Sequence, residues 1–137
     1  SLQEICFQMM ELEPGILFKI TGYIPDGNVS PIPRFHINVG KDEFNLGLHF
    51  NPRFNYYNDQ KVIFYNSKVK DQWGEEQRDY HFPYSDLSTV SIIFEEKEFR
   101  IRLHDGYEFT FPNRLNLKVI DYIAVEGDFC VRKVDFK

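Results

Sequence analysis

The chain has 137 residues, 42% of them hydrophobic and 27% charged, which fits one folded domain with a sizeable core and excludes a disordered chain. Its net charge of −5, with no cluster of Lys and Arg, argues against a nucleic-acid-binding surface. No run of about 20 apolar residues is present, so neither a transmembrane helix nor membrane insertion is expected.

Aromatic residues reach 17%, with fourteen Phe and eight Tyr, an excess that favours strands over helices. The chain opens on Ser1-Leu2-Gln3-Glu4 without a basic segment followed by an apolar run, so no signal peptide is expected. Two cysteines, Cys6 and Cys130, lie near opposite ends. They are too few for a disulfide framework and are expected as reduced thiols. Leu17–Tyr23 alternates apolar and polar residues before a turn at Pro25-Asp26-Gly27. Arg34–Val39 forms the next strand, ended by Gly40-Lys41-Asp42. Leu46–Arg53 and Val62–Asn66 follow, separated by the polar loop Asn55–Gln60. Ser91–Phe94 and Phe99–Leu103 flank Glu95-Glu96-Lys97-Glu98, and Asp105-Gly106 carries a hairpin signal into Glu108–Phe111. Leu117–Tyr122 is expected to make one turn of helix, and Asp128–Phe136 a final strand. Short strands with turn signals every eight to twelve residues or so spell an all-β antiparallel sandwich in one domain, 1–137.

Side chains two apart on a strand share a face. Leu46, Leu48 and Phe50 therefore fall on one side, with His49, Asn51 and Arg53 on the other. In the following strand Ile63 and Tyr65 share one face, and Val62, Phe64 and Asn66 the other. If the two strands are neighbours, an imidazole, amides and a guanidinium meet on the side away from the core. A solvated face usually carries interchangeable Lys, Glu and Thr, so His-x-Asn-Pro-Arg is an odd choice for solubility alone. Trp73, the single tryptophan, stands in the polar run Asp71-Gln72-Trp73-Gly74-Glu75-Glu76-Gln77-Arg78. It either packs on the core from a loop or stands exposed as a platform on which the C–H face of a sugar such as galactose stacks. Glu76 and Arg78, two apart, form a charge-assisted pair that Asp59 in the preceding loop is placed to join.

Taken in order, His49-Phe50-Asn51-Pro52-Arg53, Asn66 and Trp73-Gly74-Glu75-Glu76-Gln77-Arg78 closely resemble the sugar-binding signature of the galectins. Gly40-Lys41-Asp42, Phe54-Asn55, Phe111-Pro112-Asn113-Arg114 and Gly127-Asp128-Phe129 resemble further landmarks of that family, so the likeness spans nearly the whole chain. The resemblance implies two antiparallel sheets in a jelly-roll-like (concanavalin-like lectin) sandwich that binds β-galactosides without calcium. His49, His81 and His104 share no ligand spacing and His36 stands in a different strand, so no metal site is expected, nor a cofactor. Carried over residue by residue, His49, Asn51 and Arg53 would hold the axial 4-hydroxyl of galactose. Asn66 and Glu76 would hold its 6-hydroxyl, and Trp73 would stack on the ring. Arg53, Glu76 and Arg78 would reach the neighbouring glucose or N-acetylglucosamine, and Asp59 would orient Arg53 or Arg78. Arg34 and His36 would line an extension of the groove past galactose O3, or are ordinary exposed side chains. Phe64 stands where the family often has Val, and Tyr57 where single-domain members often have His, a change that bears on preferences beyond the disaccharide.

A glycosidase needs two carboxylates about 5 to 10 Å apart across the scissile bond. Here the carboxylates read as partners of arginines, which keeps them ionised and removes the general acid. The chain is therefore expected not to be an enzyme. The other alternative is a galectin-like structural or interaction protein with weak or altered sugar binding. The resemblance also implies pairing of two copies through the terminal strands, with Leu2, Ile5, Val131, Val134 and Phe136 as candidates, unless these fill the core of one sandwich. It further implies cytoplasmic synthesis and release to the extracellular space without a signal peptide.

Overall fold

The structure is a computed structural model that describes residues 3–24, 34–54, 61–83 and 87–137. Among these residues there is no helix, and twelve strands run in order: β1 (Gln3–Leu12), β2 (Leu17–Tyr23), β3 (Phe35–Asp42), β4 (Asn45–Arg53), β5 (Val62–Val69), β6 (Gln72–Trp73), β7 (Gln77–Asp79), β8 (Leu87–Phe94), β9 (Glu98–Leu103), β10 (Glu108–Pro112), β11 (Ile120–Gly127) and β12 (Cys130–Phe136). One antiparallel sheet has the order β1-β11-β3-β4-β5-β6, with β7 also paired to β5, and the other has the order β10-β9-β8-β2-β12.

Period-two alternation explains the layering. In β2 every second residue is buried, Phe18 and Ile20 completely. They meet Ile37, Phe50 and Ile63 of the facing sheet and Val90, Ile92 and Ile101 of their own in one core. Each such side chain contributes about 1.5–3 kcal/mol on burial. Aromatic rings stack within this core. Phe35 stacks on Phe129 at 4.4 Å, and Tyr65 on Phe109 at 4.0 Å.

The sandwich and most strands agree with expectation, Leu17–Tyr23 to the residue. The Asp105-Gly106 hairpin forms too, Gly106 taking a φ of 91° that favours glycine. Three readings are corrected. First, Leu117–Tyr122 contains no helical turn. The Asn113 side chain engages both the N–H and the carbonyl of Leu117, at 3.0 and 3.1 Å, and the chain then enters β11 between β1 and β3. Secondly, the final strand starts at Cys130 and not at Asp128, and runs to Phe136 as expected. Asp128 and Phe129 are buried ahead of it, with Asp128 Oδ2 accepting the Arg34 N–H at 3.1 Å. Thirdly, Leu46 does not share a face with Leu48 and Phe50. A register shift between Leu46 and His49 turns it into a separate cluster with Tyr122 and Ala124.

β1 escaped the sequence reading. Its alternation breaks at Met9 and Met10, where the register shifts and Met9 and Glu11 adopt φ of 56° and 50°. Cys6 and Cys130 are both free thiols. They lie on edge strands of different sheets.

Candidate functional site

Pairing of β4 with β5 sets His49 opposite Asn66, Asn51 opposite Phe64 and Arg53 opposite Val62. β7 adds Arg78 opposite Phe64, and β6 adds Trp73 opposite Lys68. Residues far apart in the sequence thereby converge on one face. His49, Arg53, Phe64, Asn66, Trp73 and Glu76 line a groove of about 310 Å³.

Internal hydrogen bonds decide what each group has left to offer. The Asn38 side-chain oxygen lies 2.6 Å from His49 Nδ1. An amide oxygen only accepts, so Nδ1 carries the proton and Nε2 remains an acceptor. Burial, helped by the nearby His36, Arg53 and Lys68, lowers the pKa of His49 to about 3, which keeps the ring neutral near pH 7. Asn51 donates to the Phe35 carbonyl at 2.7 Å and accepts from Arg53 Nε at 2.9 Å. That fixes the guanidinium, whose plane centre sits 3.9 Å over the Phe64 ring. Arg78 approaches the same ring at 4.6 Å and donates to Glu76 at 3.2 Å. Phe64 is thus an apolar floor that two cations share. The Asn66 side-chain oxygen accepts the Ser67 N–H at 2.8 Å and faces Arg114 Nη1 at 3.5 Å, which leaves its NH₂ as the groove donor.

Trp73 is 53% exposed. Its indole lies 4.7 Å from the His49 ring and has Lys68 Nζ over one face at 4.9 Å, so the ring is held in place while about half of it stays exposed. The following turn is pinned as well. Gly74 N–H donates to the Ser67 carbonyl at 2.8 Å, and Arg114 Nη1 donates to the Glu75 carbonyl at 2.8 Å. A side chain on Gly74 would strike Ser67 Oγ at 2.9 Å.

The seven residues expected to hold sugar therefore come together. Six of them are set by the β4, β5, β6 and β7 registers, and Glu76 lies just before β7. His36 sits 5.3 Å from the His49 ring and pairs with Glu126 at 3.3 Å. It lines a second cavity of about 340 Å³ that shares His49 and Trp73 with the first. Arg34 forms an isolated backbone β-bridge with Arg53 and lines neither cavity. Asp59 and Tyr57 lie outside the described residues. Sequence reasoning missed Asn38, which sets the His49 tautomer, and Lys68 beside Trp73. It also gave no role to Arg114. For Asn38 a signal existed, because it alternates with His36 on the strand.

The galactoside-binding lectin family model matches residues 5–136. Galectin-1 of Mus musculus is 42% identical over 130 residues, covering 93% of each chain. Among solved structures, CG-16, a homodimeric agglutinin from chicken liver, superposes with a TM-score of 0.88 at 39% identity, over 98% of this chain and 100% of that one. A toad ovary galectin in complex with thio-digalactose gives 0.88 at 29% identity, over 98% of both chains.

The His49 environment makes a titration prediction. The unfolded chain takes up an imidazole proton near pH 6.5 that the native chain refuses until about pH 3, so stability drops as pH falls through that window. NMR should find His49 neutral and protonated on Nδ1 from about pH 8 down to about pH 5. A ring titrating near 6.5 would contradict the assignment.

Proposed function

The chain belongs to the galactoside-binding lectin family, and we propose that it binds β-galactosides such as lactose and N-acetyllactosamine without calcium and without altering them. The observation that carries this reading is an open indole beside a fixed, mixed set of donors and acceptors. His49 Nε2 accepts and Arg53 donates where an axial 4-hydroxyl needs both. The Asn66 NH₂ donates and Glu76 accepts where the 6-hydroxyl sits. Trp73 takes the apolar C–H face, and Arg53, Glu76 and Arg78 extend to the next sugar. Tyr57 and Asp59 remain proposed contributors, Asp59 as a partner of the arginines. A hexose with an equatorial 4-hydroxyl leaves the inner groups unpaired, at about 1–3 kcal/mol for each buried one.

Binding without catalysis is supported by the fate of the carboxylates. Glu76 is tied to Arg78, and among the described residues no other carboxylate lines the groove. A protonated acid facing a base is what hydrolysis needs.

Pairing of two copies is the second part of the proposal. β1 and β12 are the edge strands of their sheets, Phe136 is 39% exposed, and its ring meets Phe7 at 5.8 Å. Ile5 is half-buried, whereas Val131 and Val134 pack against the core; Leu2 is outside the described residues. Two outward-facing sites gain avidity on multivalent glycans. Two free thiols suit synthesis in the reducing cytoplasm, followed by release to the extracellular space without a signal peptide.

Trp73→Ala and Arg53→Ala should each abolish retention on lactose–agarose, a loss of about 2–3 kcal/mol for a central contact, with an unchanged far-UV spectrum. Normal lactose elution of either variant would show the site to be elsewhere. Sedimentation equilibrium should give a dimer and thiol titration two reduced cysteines in freshly isolated protein. A monomer at tens of micromolar, or oxidised thiols, would remove the corresponding part.

A further inference from the structure

The groove does not stop at His49 and Trp73. These residues also border the second cavity, of about 340 Å³, and that cavity adjoins a third, of about 720 Å³, which reaches the edge strand β1. Glu43, Phe44, Tyr122 and Glu126 line both of the latter. One trough therefore crosses the sheet from Trp73 to β1.

Its charge is lopsided. In the stretch nearest β1, six carboxylate side chains line the trough against one lysine, Lys41. In the nearer stretch Lys68 is engaged, with Asp71 at 3.4 Å and the Trp73 ring at 4.9 Å. His36 pairs with Glu126 at 3.3 Å, but burial holds its pKa below the usual value, so at neutral pH the imidazole does not cancel the carboxylate. Phe44, 51% exposed, and Tyr122 supply apolar surface between the charges.

The orientation of a bound galactose follows from chemistry already assigned. Its 4- and 6-hydroxyls are taken up by the pocket, and position 1 carries the linkage toward Arg53, Glu76 and Arg78. The 3-hydroxyl neighbours the 4-hydroxyl held at His49, so a group on O3 enters the trough past His49. We propose that Glu126 and Glu43 act there as a charge filter, admitting neutral substituents on galactose O3 and rejecting anionic ones, sulfate or carboxylate. This rests on the galactoside reading above. A sulfate placed beside uncompensated carboxylates meets like-charge repulsion that the semi-enclosed trough screens less than bulk water does, whereas a neutral ring lays its C–H faces on Phe44 and Tyr122.

Calorimetry of the full chain near neutral pH tests this with N-acetyllactosamine, its 3′-O-methyl ether and its 3′-O-sulfate. The ether should bind within a fewfold of the parent. The sulfate should bind weaker by about tenfold or more at low salt, a gap that narrows as salt is added. In Glu43→Gln/Glu126→Gln the ratio of parent to sulfate affinity should collapse toward that of the ether. Equal affinity for sulfate and parent, an ether as weak as the sulfate, or a ratio unmoved by the double substitution each overturns the filter. Failure of N-acetyllactosamine itself to bind overturns the galactoside reading and takes the filter with it.

Discussion

Everything at the binding face depends on the register between β4 and β5. With His49 opposite Asn66 and Asn51 opposite Phe64, polar residues of both strands fall on one side while Leu48, Phe50, Ile63 and Tyr65 enter the core. A slip of β4 by one residue would send Leu48 and Phe50 into solvent and turn His49, Asn51 and Arg53 toward the core. The same burial that stabilises the sandwich therefore fixes the site. The energy of register comes from the core face, and its chemical consequence appears on the other.

Little at the site is left free to adjust. His49 is held by Asn38, Arg53 by Asn51 and Phe64, Arg78 by Glu76, and the Asn66 oxygen by Ser67 and Arg114. Each hydrogen bond among these uses one capacity of the group and orients what remains, and the Phe64 ring steadies the Arg53 plane. A sugar arriving there meets groups already aimed, so less ordering is required on binding. The neutral imidazole belongs to the same design. A charged His49 beside Arg53 would have no acceptor for a hydroxyl proton, and burial keeps that state away from neutral pH.

Much of this was legible in the sequence because alternation carries facial information directly. His49, Asn51 and Arg53 announce a polar face by their spacing, and Trp73 stands out for want of apolar neighbours. The rest was hidden where alternation fails. The shift between Leu46 and His49 broke the face assignment of Leu46, and the irregularity at Met9 concealed β1. Ile120–Gly127 reads poorly as a strand because it is buried on both faces for much of its length, where apolar runs lose their period. Arg114 acts through partners far away in sequence, and no local pattern marks what it does, while Asn38 is marked only by its alternation with His36 on β3. The acidic trough draws its carboxylates from β1, β11, the end of β3 and the β3–β4 turn, so only the assembled sheet reveals it.

Trp73 is the single tryptophan of the chain, and its exposed indole makes intrinsic fluorescence a direct report on the groove. Titration with lactose should shift and saturate the emission as the indole face is covered, while cellobiose, whose terminal 4-hydroxyl is equatorial, leaves it unchanged. An emission indifferent to lactose, or one that responds equally to both disaccharides, would contradict a site built for the axial hydroxyl.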